Sequence, residues 1–386
     1  MRSDLKNFGV NVFLLGLASF FADFSSEMIV PILPLFIASL GGTGLMVGLI
    51  GGLSDSVVAF SKMLSGYYSD KIGKRKEIII AGYAFSSLAK IFMAISTSAL
   101  QILIFRPIER IGKGVREPPR DALVGKSYVK KKRGRAFGII KTMDTSGAII
   151  GSLAVFFLLY AMNARLNSIL LIAGMISIIA VIPLFFIKDK VEKVIRGGLI
   201  KSLRSLPKKF KIYLLIASIF AFADFSYMFF ILKAQDYFSV YYIPVMLYVL
   251  FNIAYAIFSY PIGKWSDKIG RRKVLAYGYA LFALTSLLFI FSSNLALFIS
   301  AFLLYGLAYA FIVSNERACA SDLAPRKEMG TALGTFHMII ALVSLPSSLI
   351  AGLLWESMGH NAPFILAAVI ALASAGMMLV FKKKVK

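Results

Sequence analysis

Apolar residues run in long stretches down the whole chain, and short polar connections separate them. Twelve stretches can be drawn, at about 9–37, 45–67, 78–96, 100–122, 136–160, 167–187, 212–232, 242–262, 274–292, 296–320, 331–354 and 362–381. A helix needs about 20 apolar residues to cross a bilayer core of about 30 Å. The pattern therefore predicts an all-α membrane protein with 12 transmembrane helices. The first stretch begins near Phe8 and runs to about Ile37, too long for the apolar region of a cleaved signal, and it contains Asp23 and Glu27. It reads as a retained helix.

The polar connections alternate in charge. The N-terminus, the loops near Lys71, Lys130, Lys190, Arg271 and Arg326, and the C-terminus together hold 32 of the 43 Lys and Arg. The opposite connections hold only Arg165 and Lys233. Cytoplasmic loops collect Lys and Arg, so both termini are expected on the cytoplasmic side of the cell membrane. The net charge of +24 then reads as an orientation signal and an attraction to anionic lipid headgroups, not as a nucleic-acid surface. Residues 188–211 form the one long polar connection. They divide the chain into a bundle at 1–187 and a bundle at 212–386, and Leu199, Leu203 and Leu206 suit either a short surface helix or a solvated linker.

The two halves repeat one another. "SDKIGKRK" at 69–76 returns as "SDKIGRRK" at 266–273, "FADFS" occurs at 21–25 and at 222–226, and "GRAFG" at 134–138 is echoed by "GTALG" at 330–334. Six helices is an even number, so the two units run in the same direction. Parallel repeats of this kind place the working site between the halves near the membrane midplane.

At these residues the chain resembles the major facilitator superfamily of secondary transporters. The family's loop pattern is present twice: Gly66, Asp70, Lys71, Gly73, Lys74 and Arg75, then Gly263, Asp267, Lys268, Gly270, Arg271 and Arg272. The resemblance covers the whole chain and implies two six-helix bundles, transport by alternating access, and a central cavity lined by helices 1 and 7. It also implies that the loop residues form a latch stabilising the outward-facing state. The same Lys and Arg serve as topology signals, and an acid near a helix N-terminus is favoured by about 0.3–1 kcal/mol.

Charges inside a bilayer are costly and point to function. Asp23 and Glu27 lie four apart on one face of helix 1, and Asp224 holds the matching place in helix 7. Each is a candidate for substrate contact or proton coupling, and each also suits a hydrogen bond that pins a helix pair. On helix 4, Arg106, Glu109, Arg110, Lys113, Arg116, Glu117, Arg120 and Asp121 fall within an arc of about 140°. Such a stripe cannot face lipid. Pro118 and Pro119 are expected to kink or end this helix near the inner surface. Arg116 and Arg120, with Glu316 and Arg317 in the second half, are assigned to a cytoplasmic gate. Arg106 and Arg110 lie deeper. They flank Ile108, the slot where the family pattern places an arginine four residues before Gly-x-Gly, so neither matches that position.

Lys141 and Asp144 on helix 5 are further candidates, and their spacing also allows them to pair with each other. Gly147 and Gly151 resemble a drug-antiporter motif that has Pro where this chain has Ser152. Small residues four apart equally serve tight helix packing. His337 on helix 11 is expected as a packed hydrogen-bonded side chain or a proton carrier, and Cys319 as a small buried apolar residue.

No Walker loop occurs in "GKGVREPPR" or elsewhere, and two His with one Cys build no metal cluster. The chain is not read as an enzyme, and no cofactor is expected. The expected partners are a small solute, a proton or a sodium ion, and lipid, with the protein acting as a monomer. The buried acids favour proton-coupled efflux by antiport of a cationic or amphiphilic solute. The helix-4 arginines favour an anionic metabolite. A non-transporting sensor or a lipid scramblase on the same scaffold is the alternative from another class.

Overall fold

The computed structural model describes residues 2–126, 133–189, 206–324 and 329–381. Its α-helices are α1 (Arg2–Ile29), α2 (Leu33–Ser39), α3 (Gly44–Ile72), α4 (Arg75–Ala94), α5 (Ala99–Lys126), α6 (Arg133–Met162), α7 (Leu166–Ile179), α8 (Lys208–Ala223), α9 (Met228–Gln235), α10 (Tyr242–Ile269), α11 (Arg271–Phe291), α12 (Leu295–Leu323), α13 (Met329–Ser357) and α14 (Ala362–Val380). A 3₁₀ turn, Ile182–Phe186, follows α7. Eleven spans are long and apolar enough to cross a membrane. The twelfth expected segment is α5, a helix of equal length whose charges keep it out of that set.

By proximity the chain divides into two compact units. One comprises Met1–Gly42 and Val57–Gly197, the other Thr43–Ser56 and Gly198–Lys386. The first half of α3 thus groups with the C-terminal residues. The surface helix considered within 188–211 falls mostly on residues 190–205, outside the described residues.

Each unit repeats the other's neighbours. In the first, α1 packs on α6 and α7, and α4 packs on α5 and α7. In the second, α8 packs on α13 and α14, and α11 packs on α12 and α14. These are equivalent helices under the sequence repeat. In the first unit the close approach is made by glycine. A Cβ at Gly147 or Gly151 would run into the Phe20 or Phe24 carbonyl oxygen of α1, so the glycine pair packs α6 tightly against α1.

Three segments differ from the sequence pattern. The first stretch is two helices, α1 and α2, joined by a turn at 30–32. The seventh breaks at 224–227, where Asp224 caps α8 with φ −86° and ψ 65°. Third, α5 does not end at Pro118–Pro119 but continues to Lys126. Proline lacks an N–H, so Pro119 leaves the Val115 carbonyl without its intrahelical donor. Ser65 of α3 supplies that bond, its Oγ donating to Val115 O at 2.5 Å. A neighbouring hydroxyl keeps the backbone satisfied where no water reaches.

Candidate functional site

The first unit holds an ionic network built on α5. Arg106 and Glu109 are fully buried one turn apart and pair at 2.9 Å. Arg110 Nε lies 3.8 Å from the same carboxylate, and Ser86 of α4 donates to its other oxygen at 3.2 Å. The deeper part of the stripe predicted from the sequence therefore turns inward, where its own acid neutralises two arginines, while Asp121 at its far end is exposed.

Glu27 of α1 sits in the field of Lys113, Asp23, Arg110 and Arg106. Asp23 also acts on Asp144 of α6. Further along α5, Glu117 pairs with Lys62 of α3 and lies 4.0 Å from Lys113.

Arg116 is buried, with its guanidinium 4.2 Å over the Tyr83 ring of α4. The Tyr83 hydroxyl lies 3.3 Å from Ser19 Oγ on α1. Arg120 donates to that Ser19 oxygen at 2.8 Å, and its Nη1 is 3.9 Å from Asp144. Asp144 therefore neighbours Arg120, while Lys141 is exposed and acts on Asp144 through its charge without a close ion pair among the described residues. Asp23, Glu27, Arg106, Arg110, Arg116, Arg120 and Asp144 thus belong to one connected region of the first unit.

Sequence reasoning missed Lys90 of α4. It is fully buried and donates to Ser25 Oγ at 2.9 Å and Ser26 Oγ at 3.0 Å on α1, with Glu109, Arg116, Arg106 and Lys113 acting on it. A lone lysine in the middle of an apolar run was the available signal.

The polar interior of the second unit is of a different kind. Asp224, at the break between α8 and α9, accepts a 2.8 Å hydrogen bond from the Tyr309 hydroxyl of α12. The break itself is satisfied from α13. Ser348 Oγ accepts from Ser226 N at 3.1 Å, and Ser347 Oγ donates to Phe222 O at 2.9 Å. Tyr305 and Tyr309 meet Phe251 at ring separations of 4.5 and 5.4 Å, Tyr255 lies 6.3 Å from Tyr309, and Tyr248 bridges Tyr227 and Phe251. Glu316 accepts from the Tyr279 hydroxyl at 2.8 Å, and Tyr213 donates to its main-chain oxygen at 2.8 Å. Arg317 beside it is exposed. Asp55 of α3, a second residue not singled out from the sequence, accepts from Ser344 at 3.3 Å and acts electrostatically on Asp224. Cys319 is buried.

The two loop motifs share a backbone and differ in partners. Gly73 and Gly270 both have positive φ, +77° and +95°, a conformation that side chains resist. In both copies the serine hydroxyl donates back to the first glycine's carbonyl. In the first copy Arg75 is buried and pairs with Asp70 at 2.9 Å. Asp189 caps α4 there, accepting from the backbone N–H of Arg75 at 2.8 Å and of Lys76 at 3.0 Å. In the second copy the arginine one place earlier, Arg271, takes Asp267 at 3.4 Å and Asp322 at 3.1 Å, in an exposed setting. Arg272, the counterpart of Arg75, donates instead to the Phe381 carbonyl. Gly66 packs against Pro118, while a Cβ at Gly263 would meet open space.

These features accord with the comparisons. The profile of the Major Facilitator Superfamily matches residues 15–248 and 214–386. An uncharacterized MFS-type transporter of Methanocaldococcus jannaschii is 43% identical over 383 residues, covering 96% of this chain and 94% of that one. The multi-drug resistance efflux pump PmrA of Streptococcus pneumoniae matches at 30% over 149 residues, 38% of this chain and 36% of the pump. Among solved structures, the nucleoside transporter NupG superposes with a TM-score of 0.81 at 14% identity, covering 96% of this chain and all of that one. A bacterial homolog of the human lysosomal transporter Spinster gives a TM-score of 0.78, also at 14% identity, over 96% of each chain. The chain belongs to the Major Facilitator Superfamily. It is a multi-pass membrane transporter for a small molecule, not an enzyme.

Proposed function

We propose that the protein is a proton-coupled antiporter that exports a small solute by alternating access, with its basic loops and both termini on the cytoplasmic side. The observation that carries this reading is the pair of carboxylates on α1, in which Glu27 lies in the field of Lys113, Arg110 and Arg106 on α5 and of its neighbour Asp23. Protonating one of them removes a negative charge from a crowded ionic network in low dielectric, where pairing energies are large. The freed cations must then find new partners, and that change supplies the difference between two conformations. Asp144 and Arg120 extend the network toward α6, and Arg116, Arg120, Glu316 and Arg317 would act at the cytoplasmic gate. The partial likeness to a multi-drug efflux pump supports the outward direction.

The test uses the full-length protein in proteoliposomes. Solutes are first screened for thermal stabilisation of the purified protein. Hits are then assayed for movement driven by a pH gradient, with a sodium gradient as the second arm. Solute-dependent proton release that vanishes in Asp23→Asn or Glu27→Gln is expected. Flux driven by sodium alone would replace the proton as the coupling ion. Gradient-independent exchange of labelled lipid, with no solute flux, would make the protein a scramblase instead.

A further inference from the structure

In the first unit Glu27, Glu109, Glu117 and Asp144 have basic neighbours, whereas Asp224 has none among the described residues. Its hydrogen-bond partner is a neutral hydroxyl, that of Tyr309. Among the described residues no basic side chain lies within ion-pairing distance of it, and the charges acting in its neighbourhood are acidic, Asp55 and Glu316. The residue stands where α8 ends, so the negative end of that helix's dipole adds to its own charge. A membrane-embedded carboxylate with no internal counter-charge calls for an external one.

The surroundings define the kind of cation. Tyr227, Tyr248, Phe251, Tyr255 and Tyr309 form a contiguous set of rings beside the carboxylate. Asp224, Tyr227, Tyr255 and Tyr309 are only partly buried within the protein, so none of them is sealed from its surroundings. Hard metal cations require about six or more oxygen ligands, and no group of three acidic, His or Cys side chains placed to hold a metal ion occurs among the described residues. Ring faces and one carboxylate suit a weakly hydrated organic ammonium or phosphonium, held by cation–π attraction.

We propose that the helix break at Asp224 is a binding site for a monovalent organic cation, with Asp224 as the counter-ion and the Tyr309 hydroxyl positioning its carboxylate. The proposal rests on the transporter reading above and names the class of substrate.

The test is equilibrium binding of labelled tetraphenylphosphonium to the purified full-length protein without any gradient. Tetraphenylborate, alike in shape and opposite in charge, is the comparison. Saturable phosphonium binding is expected, lost at least tenfold in Asp224→Asn, partly kept in Asp224→Glu, weakened less in Tyr309→Phe, and unchanged in the surface variant Asp236→Asn. Elution and melting profiles report whether each variant is folded. Absent binding, binding indifferent to Asp224→Asn, Asp224-dependent binding of tetraphenylborate, or displacement by sodium alone would each overturn the site. The transporter reading fails separately, if no solute moves down any imposed gradient while phosphonium still binds through Asp224.

Discussion

Asp23 and Asp224 hold the third place of the same pentapeptide, "FADFS", in equivalent helices of the two units. On α1 the helix runs through it to Ile29, and on the second copy it stops at Ala223. In the first copy Ser25 donates to the Ala173 carbonyl at 2.5 Å, and Ser25 and Ser26 receive the Lys90 ammonium. In the second, the serine's own backbone N–H is bound by Ser348 of α13, and the preceding turn by Ser347. An identical local sequence thus takes two conformations because its neighbours offer different partners. The halves have kept their helix packing and diverged in their polar interiors, one ionic and self-neutralising, the other acidic and aromatic.

That contrast makes opposite demands on stability. Removing the fully buried acid of α5, as in Glu109→Ala, leaves Arg106 and Arg110 without their shared carboxylate. A loss of about 3–5 kcal/mol is expected for breaking a buried pair from one side, read as a large fall in melting temperature of the detergent-purified protein. Asp224→Asn removes a charge that has no basic partner and is expected to leave melting unchanged or raised. A comparable fall in both variants would show that the two interiors are not of different kinds.

The helix break gives the next effect in size. Ser347→Ala and Ser348→Ala each strip a partner from a buried backbone group and are expected to cost about 1–3 kcal/mol. Hydrogen exchange should rise first around 222–228. A rise confined to α1 instead would remove the role assigned to α13.

The loop copies give the smallest. Arg271→Gln acts in an exposed cluster and is expected to cost at most about 1 kcal/mol, falling toward nothing in high salt. Arg75→Gln, at a buried pair, should cost more and depend less on salt. Equal, salt-sensitive losses would mean that the two copies are held alike.

The repeat, the span count and the membrane setting are legible in the residues alone, because each depends on local composition. Apolar length decides what enters a bilayer, and glycine at 73 and 270 decides where the chain turns. The charged stripe on α5 was equally visible, since a helix places such residues on one side whatever packs against it. Its pairings were not visible. Lys90 reaches across to α1, and Asp189 reaches α4 from 114 positions away along the chain. Asp55 and Lys90 were each available as single charges within apolar runs, but nothing local distinguishes an ionic neighbour from an aromatic one.

From sequence come the twelve hydrophobic segments, their duplication and the charges that must turn from lipid, since a bilayer enforces these residue by residue. Only tertiary packing chose where helix 7 opens, how α5 passes through Pro119, and which motif arginine takes the acid. Each of those choices is settled by a hydrogen-bond partner brought from a distant helix: Ser348 stands 122 positions from Ser226, and Ser65 stands 50 from Val115. Backbone groups in a water-poor interior must bond to whatever the fold places beside them.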